Sequence, residues 1–274
     1  NTRGRSDEAM VLDENLPDVP HLQGADRSAL AMTAIDELQS EVLVLDDGFQ
    51  HRRLARDLDL VLIDATAPWG HGYLLPRGLL REPVSGLRRA SLIALTRCDQ
   101  VPPGEVARLR EQIRRKAPGV AVIETRHGPV ELVNSEQTIA PLSELRSRPV
   151  AAFCGIGNPN AFRRTLSDLG AEIHLFRAFP DHHPYTRAEV DELRTWARGV
   201  TANGMVVTTQ KDLVKLRIAK LGALPLWSLR IHLQILVGES ILEEKLRMAL
   251  NQAERFTANH ERLGAEFPMN RAHE

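Results

Sequence analysis

Glu41-Val42-Leu43-Val44-Leu45-Asp46-Asp47-Gly48-Phe49-Gln50-His51 is a short apolar run that ends in two adjacent carboxylates and a glycine. Four consecutive apolar residues bounded by polar ones predict a buried strand over Val42–Leu45. In an open α/β sheet, ligands lie beyond the carboxyl ends of the strands, where Asp46 and Asp47 would hold magnesium directly or through water. Two acidic residues opening a surface turn are the plainer reading of the same pattern. Gly48 permits a tight backbone, and Gln50 and His51 follow where a strand-to-helix turn would aim both at one crevice. Taken alone, His51 reads better as a surface or satisfied histidine.

Working outward, similar apolar runs recur with helical stretches between them. Strands are predicted over Leu60–Ile63, Leu92–Leu95, Val120–Ile123, Val150–Phe153, Ile173–Phe176 and Met205–Thr208. Apolar spacing predicts helices over Leu30–Leu38, Val106–Ala117, Ala161–Leu169, Arg187–Ala197 and Ile241–Leu250, with Thr186 and Glu189 as a capping box. This alternation predicts an α/β fold with parallel strands. Gly-Pro and polar residues between His127 and Pro149 mark a boundary between two lobes, with a strand of its own at Val130–Val133. Leu229, Ile231, Leu233 and Ile235 alternate as a late strand that would pair with it. The expected organisation is therefore a first lobe over 1–126, a linker over 127–148, a second α/β lobe over 149–228, and a return strand, helix and polar tail over 229–274.

The 274 residues are 43% hydrophobic, enough to bury one large core or two modest ones. Thirty-five basic and 36 acidic residues give a net charge of -1, so the total does not favour a nucleic-acid partner. Cys98 and Cys154 lie far apart without metal-ligand spacing, which fits a reducing compartment. No stretch approaches the roughly 18–20 apolar residues of a membrane span. The chain opens on Asn1 within a polar run, Asn1-Thr2-Arg3-Gly4-Arg5-Ser6-Asp7-Glu8, and reads as a fragment.

Further polar groups fall after strands. His71 to Pro83 reads as a long shaped loop in which Arg77 and Arg81 would neutralise phosphate and Glu82 would join a metal shell or orient a hydroxyl. An exposed Arg-Glu pair is the simpler account of any one of these. His182 in Phe179-Pro180-Asp181-His182-His183 would tune a carboxylate. Zinc is disfavoured there because adjacent side chains rarely chelate one metal. Asp7 and Glu8 precede a helical stretch over Ala9–Leu12, where capping is the default role. Thr96-Arg97-Cys98-Asp99 and Thr208-Thr209-Gln210-Lys211-Asp212 end strands in groups suited to lining a nucleotide site. Gly155-Ile156-Gly157-Asn158-Pro159 lacks the third glycine of a dinucleotide loop.

Together these segments resemble the tetraacyldisaccharide 4′-kinase family of lipid A synthesis. The resemblance is carried, in the family's order, by Ser6-Asp7-Glu8-Ala9, Asp46-Asp47-Gly48-Phe49-Gln50-His51, Leu74-Leu75-Pro76 to Arg81-Glu82-Pro83, Phe153 to Pro159 with Phe162, and Phe179 to His182 followed by Thr209 to Asp212. It implies a P-loop NTPase-like parallel-sheet lobe and a second α/β lobe joined by a short β-linker. It also implies transfer of the ATP γ-phosphoryl group to the 4′-hydroxyl of an acylated glucosamine disaccharide 1-phosphate, with Mg2+, at the cytoplasmic face of the inner membrane. No protein partner is implied. Asp7 resembles the general base and His182 its partner; Asp46 and Asp47 resemble Walker B acids that bind metal with Glu82. Glu8, Arg27, Gln50, His51 and Arg81 resemble substrate- and phosphate-side residues. Leu79 stands where the family usually has proline.

No Gly-x-x-x-x-Gly-Lys-Ser/Thr string occurs in the 274 residues. In the family that loop lies upstream of the position matching Asp7, and without its lysine and amides the triphosphate lacks its main cradle. The resemblance therefore implies little activity for these residues alone. Another P-loop nucleotide hydrolase, with Thr96-Arg97-Cys98-Asp99 echoing a base-reading motif, and a non-catalytic nucleotide- or lipid-binding protein are the alternatives.

Overall fold

Runs of apolar residues whose two sides are both buried must be sandwiched between helices, because a parallel strand leaves neither face for water. Leu92–Leu95 and Val150–Phe153 meet that condition with every residue fully buried. A computed structural model describes residues 6–266, and the side chains of 6–252. The chain runs α1 (Asp7–Asn15), α2 (Arg27–Asp36), β1 (Leu60–Asp64), β2 (Leu92–Thr96), α3 (Pro103–Lys116) and β3 (Ala121–Val133). It continues through β4 (Ile139–Ala140), β5 (Pro149–Cys154), α4 (Pro159–Asp168), β6 (Glu172–Ala178), α5 (Arg187–Ala197) and β7 (Met205–Thr209). Last come α6 (Gln210–Leu216), β8 (Lys220–Leu221), β9 (Leu224–Val237) and α7 (Glu239–Glu266). The α/β class expected from the alternation is what the chain adopts.

Two compact units form, and each is discontinuous in sequence. One takes 1–43 and 128–232, the other 44–127 and 233–274. Residues 1–43, read from the sequence with the segment up to 126, thus cluster with the later part of the chain. The chain passes between the units after Leu43 and again inside β3 and β9. Val120–Ile123 and Val130–Val133, expected as separate strands, lie in the one continuous strand β3, uninterrupted by Gly128 and Pro129.

In the first unit, β7, β5 and β6 are parallel neighbours, with β9 beside β7. Side chains of β5 alternate between two cores. Val150 and Ala152 pack with Phe162 and Leu166 of α4, while Ala151 and Phe153 pack with Leu193 of α5 and Leu213 of α6. In the second unit, β1, β2 and β3 are parallel neighbours. Ile93 and Leu95 face Val106, Leu109 and Ile113 of α3, and Leu92 and Ala94 meet Ile241 and Leu242 of α7.

The structure also departs from the sequence reading at single elements. Val42–Leu45 is not a strand: none of the described strands pairs with it, and Val44 is 93% exposed. Four apolar residues make a strand only where a neighbour offers its backbone. The helix expected over Ile241–Leu250 continues to Glu266, so part of the polar tail is helical, and 267–274 lie outside the described residues, as do 1–5. Helix α6 was not foreseen, although Thr209 caps it by accepting from the Asp212 amide.

Phe153 ties the β5 core to the aromatic rings of Phe179 and Tyr185, at centroid distances of 6.3 and 5.8 Å. Phe153→Ala should cost about 3–5 kcal/mol of unfolding free energy in chemical denaturation, and a loss under 1 kcal/mol would mean the site is not packed as described.

Candidate active site

In the first unit, Ser6 rather than an acidic residue caps α1, its hydroxyl accepting from the Ala9 amide at 3.2 Å. This corrects the capping reading of Asp7 and frees its carboxylate for another contact. Asp7 is only 7% exposed, and His182 Nδ1 lies 2.9 and 3.0 Å from its two oxygens. Because an ionised carboxylate only accepts, Nδ1 carries the proton and donates. Lys215 Nζ stands 3.5 Å from Asp7 Oδ2 on the same unit, and Lys211 Nζ bonds Glu8 at 2.6 Å.

His182 reaches Asp7 from the loop after β6. Its φ of 56° places it in the left-handed region, a conformation that costs free energy unless its surroundings hold it. Its amide donates to Gly155 O at 3.2 Å and to Asp181 Oδ1 at 3.0 Å. Gly155 is tightly enclosed: a Cβ there would lie 3.0 Å from Asp212 Oδ1 and 3.2 Å from Pro180 O, so its neighbours would have to shift to admit one. His183 turns elsewhere, stacked on Phe179 at 4.8 Å and bonded to Glu189 at 2.9 Å. The adjacent histidines therefore serve different carboxylates.

Burial works to raise the Asp7 pKa, but the neighbouring Glu8 carboxyl, the His182 hydrogen bond and the charge of Lys215 outweigh it and hold it at about 2. The hydrogen bond and charge of Asp7 raise the His182 pKa above 6.5. A depressed carboxylate stabilises the fold above its unfolded value of 3.8, and that contribution is lost as pH falls through about 2. A raised imidazole stabilises below 6.5 and ceases to do so as pH climbs through its folded pKa. The charged pair is thus complete between those unfolded-state values.

In the second unit, Asp46 and Asp47 form an exposed turn with Asp47 at φ 52°. Arg81 Nη1 pairs with Asp47, Gln50 Nε2 donates to Glu82 Oε1 at 2.8 Å, and Arg89 Nη2 donates to Glu82 Oε2 at 2.7 Å. Arg89 also lies over the Phe49 ring at 4.5 Å, a cation–π contact. The loop from His71 to Pro83 closes on itself through Leu75 N to Leu80 O at 2.9 Å. A Cβ on Gly78 would fall 2.2 Å from Tyr73 O, so only glycine fits that turn.

The hard oxygens of Asp46, Asp47 and Glu82 are the donor type magnesium takes, although Asp47 and Glu82 are each paired with an arginine here. Among the described residues, the one group of three His, Cys, Asp or Glu donors within 4.8 Å of one another is Asp7, Glu8 and His182. There, Lys211 and Lys215 already offset the acidic charge.

Of the residues singled out from the sequence, Asp7, Glu8 and His182 are brought together in the first unit, and Asp47, Gln50, Arg81 and Glu82 form paired contacts in the second. Among the described residues, Asp46 and His51 find no side-chain hydrogen-bond or ion-pair partner. Arg27 is half-buried at the start of α2, whose cap is Asp26, and forms none with Asp7 or Glu8. In Thr96-Arg97-Cys98-Asp99, Arg97 pairs with Asp64 at the end of β1, Cys98 is buried and Asp99 is exposed. Sequence reasoning missed Arg89 and Lys215. For Lys215, the Thr209-x-x-Asp212 capping pattern followed by an i, i+3 Asp-Lys pair was the available signal.

Comparison with known proteins matches residues 3–251 to the family model described as tetraacyldisaccharide-1-P 4'-kinase. A tetraacyldisaccharide 4'-kinase of Anaeromyxobacter sp. (strain Fw109-5) is 46% identical over 245 residues, covering 89% of this chain and 65% of the relative. One from Syntrophus aciditrophicus is 39% identical over 238 residues, covering 84% and 63%. The chain thus spans just under two thirds of the length of these relatives. Among solved structures, the "apo" form LpxK from Aquifex aeolicus in complex with ATP is similar with a TM-score of 0.68 and 30% identity, over 89% of this chain and 69% of that one.

The His182–Asp7 bond has a direct readout. In an NMR titration the His182 ring should show a midpoint above 6.5, falling in Asp7→Asn; a midpoint unmoved by that substitution would mean the pair does not form.

Proposed function

We propose, from the premise that the chain belongs to the tetraacyldisaccharide-1-P 4'-kinase family, that it carries the acceptor-side base and the metal-side acids of a lipid kinase. The reaction is transfer of the γ-phosphoryl group of ATP to the 4′-hydroxyl of a tetraacylated glucosamine disaccharide 1-phosphate, a step in making lipid A. The observation that carries this reading is the Asp7 carboxylate, nearly buried and bonded by His182 at 2.9 Å.

Phosphoryl transfer asks a protein for positioning and charge neutralisation more than for covalent chemistry. Asp7 accepts the hydroxyl proton as the oxygen bonds to phosphorus and the bridging oxygen leaves with ADP. A carboxylate held at a pKa of about 2 is a weak base, suited to taking the proton late, once bonding to phosphorus has made the hydroxyl acidic. His182 keeps Asp7 ionised and turned toward the acceptor. Magnesium, when bound, neutralises phosphate charge, and Asp46, Asp47 and Glu82 are the oxygens to hold it. Arg81, Gln50 and His51 serve the phosphate side; Glu8 and Arg27 serve the acceptor. An acylated acceptor places the reaction at a membrane surface, the cytoplasmic face of the inner membrane.

Turnover of the lipid disaccharide 1-phosphate by the protein expressed from its complete reading frame tests this reading. Asp7→Ala should lose about 10²- to 10⁴-fold in kcat, with His182→Ala losing less and the double variant little more than Asp7→Ala. Near-normal turnover in Asp7→Ala, or a strict demand for GTP as donor, would remove the proposal.

A further inference from the structure

Lys215 is the least explained charge of the first unit. Its Nζ is buried and its side chain 12% exposed, with Nζ 3.5 Å from Asp7 Oδ2 and 3.2 Å from Asp212 Oδ1. The ammonium makes no hydrogen bond of normal geometry to either. It is held by charge and by the Tyr185 ring, whose centroid lies 5.6 Å away.

Asp212 does not need Lys215 to satisfy its hydrogen bonds. Although fully buried, it accepts from the Gly155 amide at 3.0 Å, the Tyr185 hydroxyl at 3.0 Å and the Thr209 hydroxyl at 2.6 Å. Those donors come from the loop after β5, the loop after β6 and the end of β7, so its carboxylate is held from three sides. A fixed anion on one side and Asp7 on the other define a seat for one cation between them.

The two cations on Asp7 differ in kind. The His182 side chain is 55% exposed and its pKa is raised above 6.5 by the hydrogen bond and charge of Asp7, whereas the Lys215 side chain is only 12% exposed. The other charged groups around Asp7 are Glu8 on its own helix, Asp181 beside His182, and Lys211, whose ammonium is taken by Glu8. When His182 loses its proton, Lys215 is the buried cation that remains against the carboxylate.

We propose that Lys215 is a positioning residue for Asp7, holding the carboxylate from a seat fixed by Asp212 so that it keeps its orientation whatever the protonation of His182. This rests on the reading of Asp7 as the acceptor-side base. It assigns Lys215 no contact with substrate.

The test compares Lys215→Met with Lys215→Arg in the protein expressed from its complete reading frame, across pH. Lys215→Met should lower kcat on the order of tenfold at pH 6 and by more as pH rises through the His182 midpoint, with both KM values within about twofold. Lys215→Arg, which keeps the charge, should recover much of the loss. In NMR the His182 midpoint should rise in Lys215→Met, because a neighbouring positive charge has gone. Should Lys215→Met fail to fold, Lys215→Gln, which removes the charge and keeps a polar end, takes its place with the same expectations. A kcat within twofold of the parent at every pH, or equal losses in the Met and Arg variants with the His182 midpoint unmoved, overturns the proposal. Asp7→Asn runs alongside: normal turnover in it defeats the base assignment, while the His182 midpoint still reports whether Lys215 and Asp7 are coupled.

Discussion

A carboxylate with no exposure to solvent has to be satisfied from within, and the Asp212 side chain recruits its partners from three separate stretches of chain. Leaving such a charge unpaired would cost several kcal/mol. The Gly155 amide, the Tyr185 hydroxyl and the Thr209 hydroxyl are consequently pulled to one point. That convergence sets where the loop after β6 runs, and so where His182 can stand. The aromatic contacts of Phe153, Phe179 and Tyr185 fill the space around it. The order of causes runs from a buried anion to a fixed loop to a histidine in a left-handed conformation.

The second unit solves a different problem with the same residue types. Its carboxylates are exposed or half-exposed and are shared among arginines and an amide, Asp47 with Arg81 and Glu82 with Gln50 and Arg89. Exposed pairs of this kind contribute roughly 0–1 kcal/mol each. They can be exchanged at small cost when phosphate or a metal competes for the same groups. Asp7 thus sits on rigid support, whereas Asp47 and Glu82 keep replaceable partners.

Most strands were legible because a parallel strand buried on both faces leaves an uninterrupted apolar run, as at Leu92–Leu95 and Val150–Phe153. The same rule failed at Val42–Leu45, where the run exists but no described strand pairs with it. Pairing is a tertiary fact that an isolated string of residues does not contain. Unit membership was illegible for a related reason: residues 1–43 join 128–232 through contacts such as α1 with α6, which leave no local trace. Asp7 and His182 were named from family resemblance, and the geometry then brings them within 3 Å of each other. Lys215 left only a local signal, the i, i+3 pair with Asp212 after the Thr209 cap; its approach to Asp7, far earlier in the chain, is a tertiary contact that no local pattern contains.

The interleaving of the two units along the chain has a consequence for how the protein acquires its fold. Asp7 and His182 are 175 positions apart, so the first unit stays incomplete until residues near its far boundary at 232 have emerged from the ribosome. The helix bearing Asp7 must wait, unsupported, while the intervening segment is made, and closing so long a loop carries an entropic cost that grows with the logarithm of its length. High sequence separation of contacts slows assembly, and a short helix with a weak apolar face does not persist alone. Asp7 is therefore among the last parts to take its place, and a change that weakens its docking would surface first as slow or incomplete maturation of a chain whose strands are already formed.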